Sequence, residues 1–391
     1  MPMLMLKCKE CGEVFAGVYK PENSIKDSKL KTDSTTSHVC SRGHKNDYLP
    51  DDFSKQEGKG LVESLGNVNI VKYFSQKNLK HTKYGLGSGK VEEIKEFLQH
   101  TKSDQIIVDE HMTAKQIFNL ERETGVKVID RERLILDLFY IRSTTTEAKL
   151  QIQLAEIKYE LPRIKENARL LIGDERPGKG GSGEYIVDVK FRDLKRRMGF
   201  IIEKLAESKI KRDLYHNQRI ENKMPIVSLV GYTSSGKTTL FNLLTMESRQ
   251  TSEDLFTTLS TTTRSFIING QKILLSDTVG FIRRLPTYMI EAFKSTLEES
   301  LQADIILLLI DSSDPVDKIK IKYYSCMNVL QELNVNKEKI VIVFSKIDKA
   351  ELDDVTRTFQ ELRIEHPIIV SPMSGYGINK LRKSISQKIV S

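Results

Sequence analysis

The sequence predicts an α/β protein of several domains. A C-terminal domain, a mixed sheet with flanking helices, carries a phosphate-binding loop, and an antiparallel helical hairpin joins it to a small N-terminal α/β domain. Three observations predict this. The apolar strand Ile226 to Val230 runs into Gly231-x4-Gly236-Lys237-Thr238 and then into a helical pattern. Strand and helix patterns alternate between residues 58 and 142. Between these regions lie two stretches whose apolar residues recur in steps of four and three, each a coiled-coil seam.

The bulk composition fits this division. At 391 residues the chain is long enough for two to four domains at about 100 to 200 residues each. The expected boundaries are 1–53, 58–142, 143–222 and 223–391. Lys plus Arg number 61 against 53 for Asp plus Glu, a net charge of +8. A solvated basic surface accounts for that excess as well as a polyanionic partner does, though clustered cations gain affinity by releasing phosphate counterions. The longest strongly apolar run, "IILLLI" at 305 to 310, is far short of the ~20 residues that span a bilayer, so no membrane span is expected. The N-terminus has no basic segment before its apolar residues and no small-residue cleavage site, so it is not a secretory signal and a cytoplasmic location is expected. Four cysteines in this length exclude a disulfide scaffold.

Three of those cysteines cluster near the start, within "CKECG" and "CSRGH". Cys8, Cys11, Cys40 and His44 offer sulfur and nitrogen donors for a structural zinc ion, because a two-residue gap lets both thiolates of one knuckle face the same ion. His38 competes as the fourth ligand, and the 28 residues between Cys11 and Cys40 exceed common ribbon spacing. The competing reading is a basic tail with incidental thiols. An open catalytic metal site is not expected of this cluster.

In the next segment "QIIVDE" reads as a buried strand, and "TAKQIFNLERETG" as a helix capped by Thr113 and followed by Gly125. "VKVID" reads as a second strand and "RERLILDLFYI" as a second helix. "GLGSGK", residues 85 to 90, looks like a phosphate loop, but no Ser or Thr follows Lys90 and no apolar strand precedes it. It is read as a turn before the helix "VEEIKEFL". In the hairpin one seam comprises Leu150, Leu154, Ile157, Leu161, Ile164, Ala168 and Leu171, the other Val187, Phe191, Leu194, Met198, Ile201 and Leu205. The glycine-rich tip, residues 173 to 183, cannot continue a helix, so the two arms fold back antiparallel and reach roughly 35 Å. Pro162, inside the first seam, is expected to kink or break it. The hairpin reads equally as a spacer or as a probe that carries Arg176 and Lys179 at its tip.

The strongest chemical signal follows. A chance match to the phosphate-loop pattern is on the order of one in a hundred for such a chain. Backbone N–H groups of the loop surround phosphates, Lys237 reaches the β and γ oxygens, and the Thr238 hydroxyl binds Mg²⁺. Downstream, "LFTTLSTTTR" supplies a switch I threonine, and "KILLS" runs into Asp277-Thr278-Val279-Gly280, the D-x-x-G element that senses a γ-phosphate. "IVIVFSKIDK" gives Ser345-Lys346-Ile347-Asp348, where the Asp348 carboxylate accepts guanine N1–H and N2–H together, a match that adenine does not return. "IIVSPMSGYG" places Ser371, Pro372 and Met373 near guanine O6. These elements in this order predict a P-loop GTPase rather than an ATPase. Ser345 stands where N-K-x-D loops have asparagine, which shortens one contact that braces the base loop.

"GSGKVEEI", "KLQIQLAEIKYELPRI", the glycine-rich tip, "GYTSSGKTTLFN", "LFTTL" and "DTVGFIRRLP" together resemble the HflX family of ribosome-associated GTPases, in a form similar to archaeal members. The resemblance runs from about residue 60 to the C-terminus and does not cover the first 53 residues. It implies a monomeric Mg²⁺-dependent GTP hydrolase that binds GTP and GDP, docks on the large ribosomal subunit and its rRNA, and splits or rescues stalled ribosomes. It further implies Lys237, Thr258 and Gly280 as catalytic residues, with Thr238 and Thr258 as Mg²⁺ ligands. Thr257, Thr261, Thr262 and Thr263 stay open as alternatives to Thr258.

The nucleotide set implied is Gly231, Tyr232, Thr233, Ser234, Ser235, Gly236, Lys237 and Thr238; Phe256, Thr257, Thr258, Leu259 and Ser260; and the D-x-x-G and two base-recognition stretches given above. Two positions depart from the pattern. Ser234 replaces an asparagine that ligates potassium in potassium-activated members, and Phe281 occupies the position that often carries a water-orienting glutamine. Arg283 and Arg284 read either as fingers aimed at the nucleotide phosphates or as contacts to rRNA phosphates, and the second is the expectation. The alternative is a GTP-switched scaffold that binds another RNA or protein through the hairpin.

Overall fold

The computed structural model describes the backbone of residues 5–7, 14–16, 37–39, 45–47, 51–66, 68–76, 82–173, 182–221, 224–247, 262–278, 280–283, 285–286, 288–290 and 303–390, and side chains from residue 55 onward except 167–186, 212–213, 215–223, 352 and 390. The chain divides into two compact units: one of Met1–Leu138 and Leu154–Phe200, the other of Phe139–Gln153 and Ile201–Ser391.

In the first unit β1 (Met5–Lys7) pairs antiparallel with β2 (Val14–Ala16), and β3 (Ser37–Val39) with β4 (Lys45–Asp47). Helices α1 (Asp51–Glu63) and α2 (Ser88–His100) follow. Helix α2 takes in Ser88, Gly89 and Lys90, so the stretch read as a turn is already helical from Ser88. Its N-cap, Gly87, donates its N–H to Gln76 Oε1 at 2.9 Å instead of presenting it to a ligand.

Strand β5 (Gln105–Val108) then pairs parallel with β6 (Lys127–Asp130) across the crossover helix α3 (Ala114–Thr124). Helix α3 has the start and stop that its sequence dictates. Thr113 Oγ1 accepts from Gln116 N at 3.2 Å, Gln116 Oε1 accepts from Thr113 N at 3.0 Å, and Gly125 ends the helix at φ +70°. Tyr84, Leu86, Val91, Ile94, Val108, Met112, Leu120 and Val128 form the core under these elements.

Helix α4 (Arg131–Arg142) leads into the two hairpin arms, α5 (Thr146–Gly173) and α6 (Ser182–Glu221). Pro162 does not break α5, which runs through it as one helix of 28 residues. A proline removes only its own ladder bond, and packing holds the turns before it: Leu154 and Ile157 are buried. A polar node adds to this. The fully buried Asp130 accepts from Tyr159 Oη at 2.9 Å and Arg163 Nη2 at 2.8 Å, and Arg163 also donates to Met112 O at 2.8 Å. Residues 174 to 181 of the tip, with Arg176 and Lys179, lie outside the described residues.

The second unit holds a six-stranded sheet in the order β12-β11-β10-β7-β9-β8. Its strands are β7 (Ile226–Gly231), β8 (Thr262–Ile268), β9 (Gln271–Asp277), β10 (Ile305–Asp311), β11 (Ile340–Ser345) and β12 (Ile368–Ile369). All neighbours are parallel except β8 and β9, so the sheet is mixed, as the sequence predicts. Helices α7 (Lys237–Thr245), α8 (Val316–Glu332), α9 (Leu352–Leu362) and α10 (Ile378–Val390) flank it. Strands β7 and β10 are buried at every position, which is why they read as unbroken apolar runs and not as alternations. Val227, Leu229, Leu307 and Leu309 face Leu240, Phe241, Leu381 and Ile385 in one core. On the other side Phe344 meets Phe359 edge-on at 4.6 Å.

Parallel strands set their loops along one edge of the sheet, and the central β7 opens that edge where the strand order reverses. One glycine there is dictated by space. Gly377 has φ +74°, and a Cβ on it would lie 1.9 Å from the Ile369 carbonyl oxygen. Gly377→Ala is expected to destabilise the second unit by about 3 kcal/mol, read from its denaturant midpoint at unchanged slope.

Candidate functional site

The loop between β7 and α7 is built by exclusion and by a buried cation. A Cβ on Gly231 would meet Leu309 O at 2.4 Å and Ser235 Oγ at 2.8 Å, so only glycine lets the loop turn against β10. Gly236, at φ +86°, caps α7. Lys237, the first residue of α7, is buried, and its Nζ donates to Gly231 O at 3.1 Å and Tyr232 O at 2.8 Å. Burial pushes its ammonium down to about 8, against the pull of Asp277. Thr238 Oγ1 donates to Asp277 Oδ2 at 3.1 Å, which places a hydroxyl and a carboxylate side by side at the ends of α7 and β9. Thr233 Oγ1 and Ser235 Oγ are buried with no hydrogen-bond partner among the described residues. Unpartnered buried hydroxyls beside a hydroxyl–carboxylate pair and a desolvated ammonium fit a phosphate chain with a hard cation.

The D-x-x-G element lies against this loop. Phe281 N donates to Gly231 O at 2.9 Å and Thr233 N to Phe281 O at 2.8 Å, so this segment is stitched to the phosphate loop by its backbone. A Cβ on Gly280 would meet Thr233 Cγ2 at 2.9 Å and Lys237 Nζ at 3.2 Å. Phe281 is 5% exposed and faces the interior. Arg283 is 6% exposed, which corrects its reading as an rRNA contact: its amide donates to Tyr232 Oη at 3.1 Å, and that bond turns the chain inward. Arg284, Val279 and the switch I stretch Phe256, Thr257, Thr258, Leu259 and Ser260 lie outside the described residues, as does Thr261. Thr262 and Thr263 begin β8, opposite Asp277 and Ser276 of β9.

The base-recognition loops are braced from beneath. Ser345 Oγ, fully buried, lies 2.7 Å from Ser235 O and 3.1 Å from Ile310 O and donates its single proton between them. The shortened contact expected of serine is therefore made in full. Lys346 adopts φ +57° and donates to Asp311 Oδ2 at 2.7 Å. Asp311 is a site residue that the sequence reading missed; its signal is an acid that ends a fully apolar strand, and although burial pushes its carboxyl up, the Lys346 ammonium and the hydrogen bonds from Ser313 together hold it below the usual range. Ile347 and Asp348 follow in a single 3-10 turn, Ile347–Lys349, with the Asp348 side chain exposed. Ser371 is fully buried, and its own groups fold the turn: Ser371 N donates to Tyr376 O at 3.0 Å, and Ser371 Oγ accepts from Ser374 N at 3.2 Å. Met373, 79% exposed, stands at the tip of the same turn.

Outside this site one group of ligand-type side chains comes together. His111, Asp130 and Glu132 bring ligand atoms within 4.8 Å of one another. Asp130 Oδ1 already accepts from Tyr159 Oη and Arg133 N, and Oδ2 from Arg163 and Met112 N, so the carboxylate is committed to structure. Cys8, Cys11, Cys40 and His44 lie outside the described residues, in the segments between β1 and β2 and between β3 and β4. Among the described residues no helix is long and apolar enough to cross a membrane.

The loop, the Thr238–Asp277 pair and the Asp348 carboxylate in the turn after β11 define the class: this is a P-loop GTPase. Three family models match in succession, "GTP-binding GTPase N-terminal" over residues 53–140, "GTP-binding GTPase Middle Region" over 142–219 and "50S ribosome-binding GTPase" over 226–346. The chain is 40% identical over 338 residues to the GTPase HflX of Methanocaldococcus jannaschii, which covers 86% of this chain and 83% of that protein. It is 38% identical over 319 residues to the GTPase HflX of Thermococcus kodakarensis, covering 81% and 72%. A GTP-binding protein from Sulfolobus solfataricus, solved in complex with GDP, is 29% identical with a TM-score of 0.45, over 86% of this chain and 95% of that one. The chain belongs to the HflX GTPase family.

Proposed function

We propose that this GTPase works on the large ribosomal subunit: its GTP-bound form docks there, and hydrolysis permits release, in the splitting or rescue of stalled ribosomes. The observation that carries this reading is the match of residues 226–346 to the ribosome-binding GTPase model, and the +8 charge suits an rRNA partner. The deciding experiment measures GTP turnover with and without purified large subunits. A rise of at least tenfold together with co-sedimentation supports the reading, and neither effect appearing sinks it.

In this reading the loop from Gly231 to Thr238 wraps the phosphates, with the Lys237 ammonium on the β and γ oxygens. Thr238 and Thr258 would hold Mg²⁺, which would supply charge neutralisation for the phosphates, and Asp277 orients the Thr238 hydroxyl at 3.1 Å. Gly280 offers its amide to the γ-phosphate. Asp348 selects guanine through N1–H and N2–H. Contact with O6 falls to the Met373 amide, because the Ser371 amide is already used and Pro372 has none. Lys237, Thr258 and Gly280 thus carry the chemistry, by positioning and electrostatics and without a side-chain base.

Phe281 explains why a partner is needed. It cannot orient water, and burial keeps its ring off the phosphate side. Phe281→Gln is expected to cost about 2 kcal/mol of stability through an amide buried without partners, and to leave intrinsic turnover no faster than wild type in a single-turnover assay.

We also propose a structural zinc ion on Cys8, Cys11, Cys40 and His44. Support comes from the strand pairing: one ligand pair falls in the chain between β1 and β2, the other between β3 and β4, and segments this small are commonly held by a structural metal. Purified protein is expected to carry one equivalent of zinc, lost in Cys8→Ser; a metal-free wild type refutes the assignment.

A further inference from the structure

We propose that Tyr232 is a positioning residue for GTP hydrolysis, and that its side chain serves the D-x-x-G segment and not the nucleotide. The register of the sheet carries the argument. Strands β7 and β9 pair in parallel as far as Leu229 opposite Asp277, and pairing resumes at Tyr232 opposite Phe281. Two positions, 230 and 231, separate those pairs on the β7 side and three, 278 to 280, on the β9 side, so the register gains one extra residue within D-x-x-G, as a β-bulge does. Bulges re-aim the backbone where they occur, and this one directs it at the phosphate loop.

The bulge is closed at both ends. At the Asp277 end Thr278 Oγ1 donates to Leu229 O at 2.7 Å. At the other end Phe281 N bonds Gly231 O at 2.9 Å, and Thr233 N bonds Phe281 O at 2.8 Å. One further bond there comes from a side chain: Arg283 N donates to Tyr232 Oη at 3.1 Å, with both residues buried. The Tyr232 ring is fixed in turn, since Lys322 Nζ lies 5.3 Å from its centroid and Lys322 is ion-paired to Asp314. The result of this closure is the position of Gly280, packed on Thr233 and Lys237.

Phe281 has no group that orients water, so the backbone that places Gly280 has a larger share in defining the γ-phosphate side of the site. Tyr232→Phe keeps the buried ring and deletes the acceptor, which leaves the Arg283 amide without it in a buried place and loosens the far end of the bulge. The inference rests on the site reading above, so the test carries two arms in the full-length protein: single-turnover GTP hydrolysis and GDP affinity, each for Tyr232→Phe and for Lys237→Ala. Tyr232→Phe is expected to lower the single-turnover rate about tenfold while the Kd for GDP moves less than twofold, a split that general loss of structure does not give. An unchanged or faster rate, or loss of GDP affinity in step with rate, overturns the proposal. Lys237→Ala separates the two readings: if it still hydrolyses GTP at the wild-type rate the site reading fails, and if it does not while Tyr232→Phe is silent, the role of Tyr232 alone falls.

Discussion

Lys237→Ala is expected to lower kcat/KM for GTP by about a thousandfold, the scale set by removing a preorganised electrostatic contact from a dry site. The structure gives two reasons for the size of the effect. The ammonium is buried and held at 3.1 and 2.8 Å by two loop carbonyls, so it needs no reorganisation when phosphate arrives. Burial also brings it down to about 8, which leaves it protonated at neutral pH but poorly solvated, so an incoming phosphate gains more from it than from a surface lysine. The same desolvation means that alanine removes a buried charge along with two hydrogen bonds. The variant should therefore unfold within about 1 kcal/mol of wild type, and thermal melting alongside the kinetics separates lost chemistry from lost fold. A kcat/KM within tenfold of wild type would place the phosphate elsewhere.

The parts of this site that the sequence shows are those encoded by local rules. Thr113 and Gly125 bound α3 because capping needs only neighbours within four residues. Gly231, Gly236, Lys237 and Thr238 announce a phosphate loop because one strand end and one helix start contain the whole motif. What the sequence conceals depends on residues far apart in the chain. Ser345 looks like a weakened asparagine until β11 is set beside β10 and its hydroxyl meets Ser235, 110 positions earlier. Arg283 looks like an exposed cation until its amide finds Tyr232, 51 positions away. Asp311 is one acid among 53 acidic residues until Lys346 reaches it across the sheet edge. Pro162 follows the same pattern: its local rule predicts a kink or a break, and the helix runs through it unbroken.

Asp348→Asn is expected to weaken GDP and GTP binding by about a hundredfold and to make xanthine nucleotides the better ligands. A carboxylate accepts two hydrogens at once, which guanine supplies from N1 and its 2-amino group. An amide accepts one and donates one, and xanthine, with N1–H beside a 2-oxo group, returns that pattern. The exchange shows clearly only if the loop holds its shape, and the structure supplies the braces. Ser345 ties the end of β11 to the phosphate loop, Asp311 pins Lys346 at 2.7 Å, and Ile347 N reaches Val370 O at 3.4 Å. The side chain of Asp348 itself is exposed and lies outside the core, so its replacement changes what the loop reads and not how it folds. Competition titrations with GDP, XDP and ADP against a fluorescent guanine nucleotide measure the change directly. Equal loss for GDP and XDP would mean that Asp348 supports the loop and does not read the base.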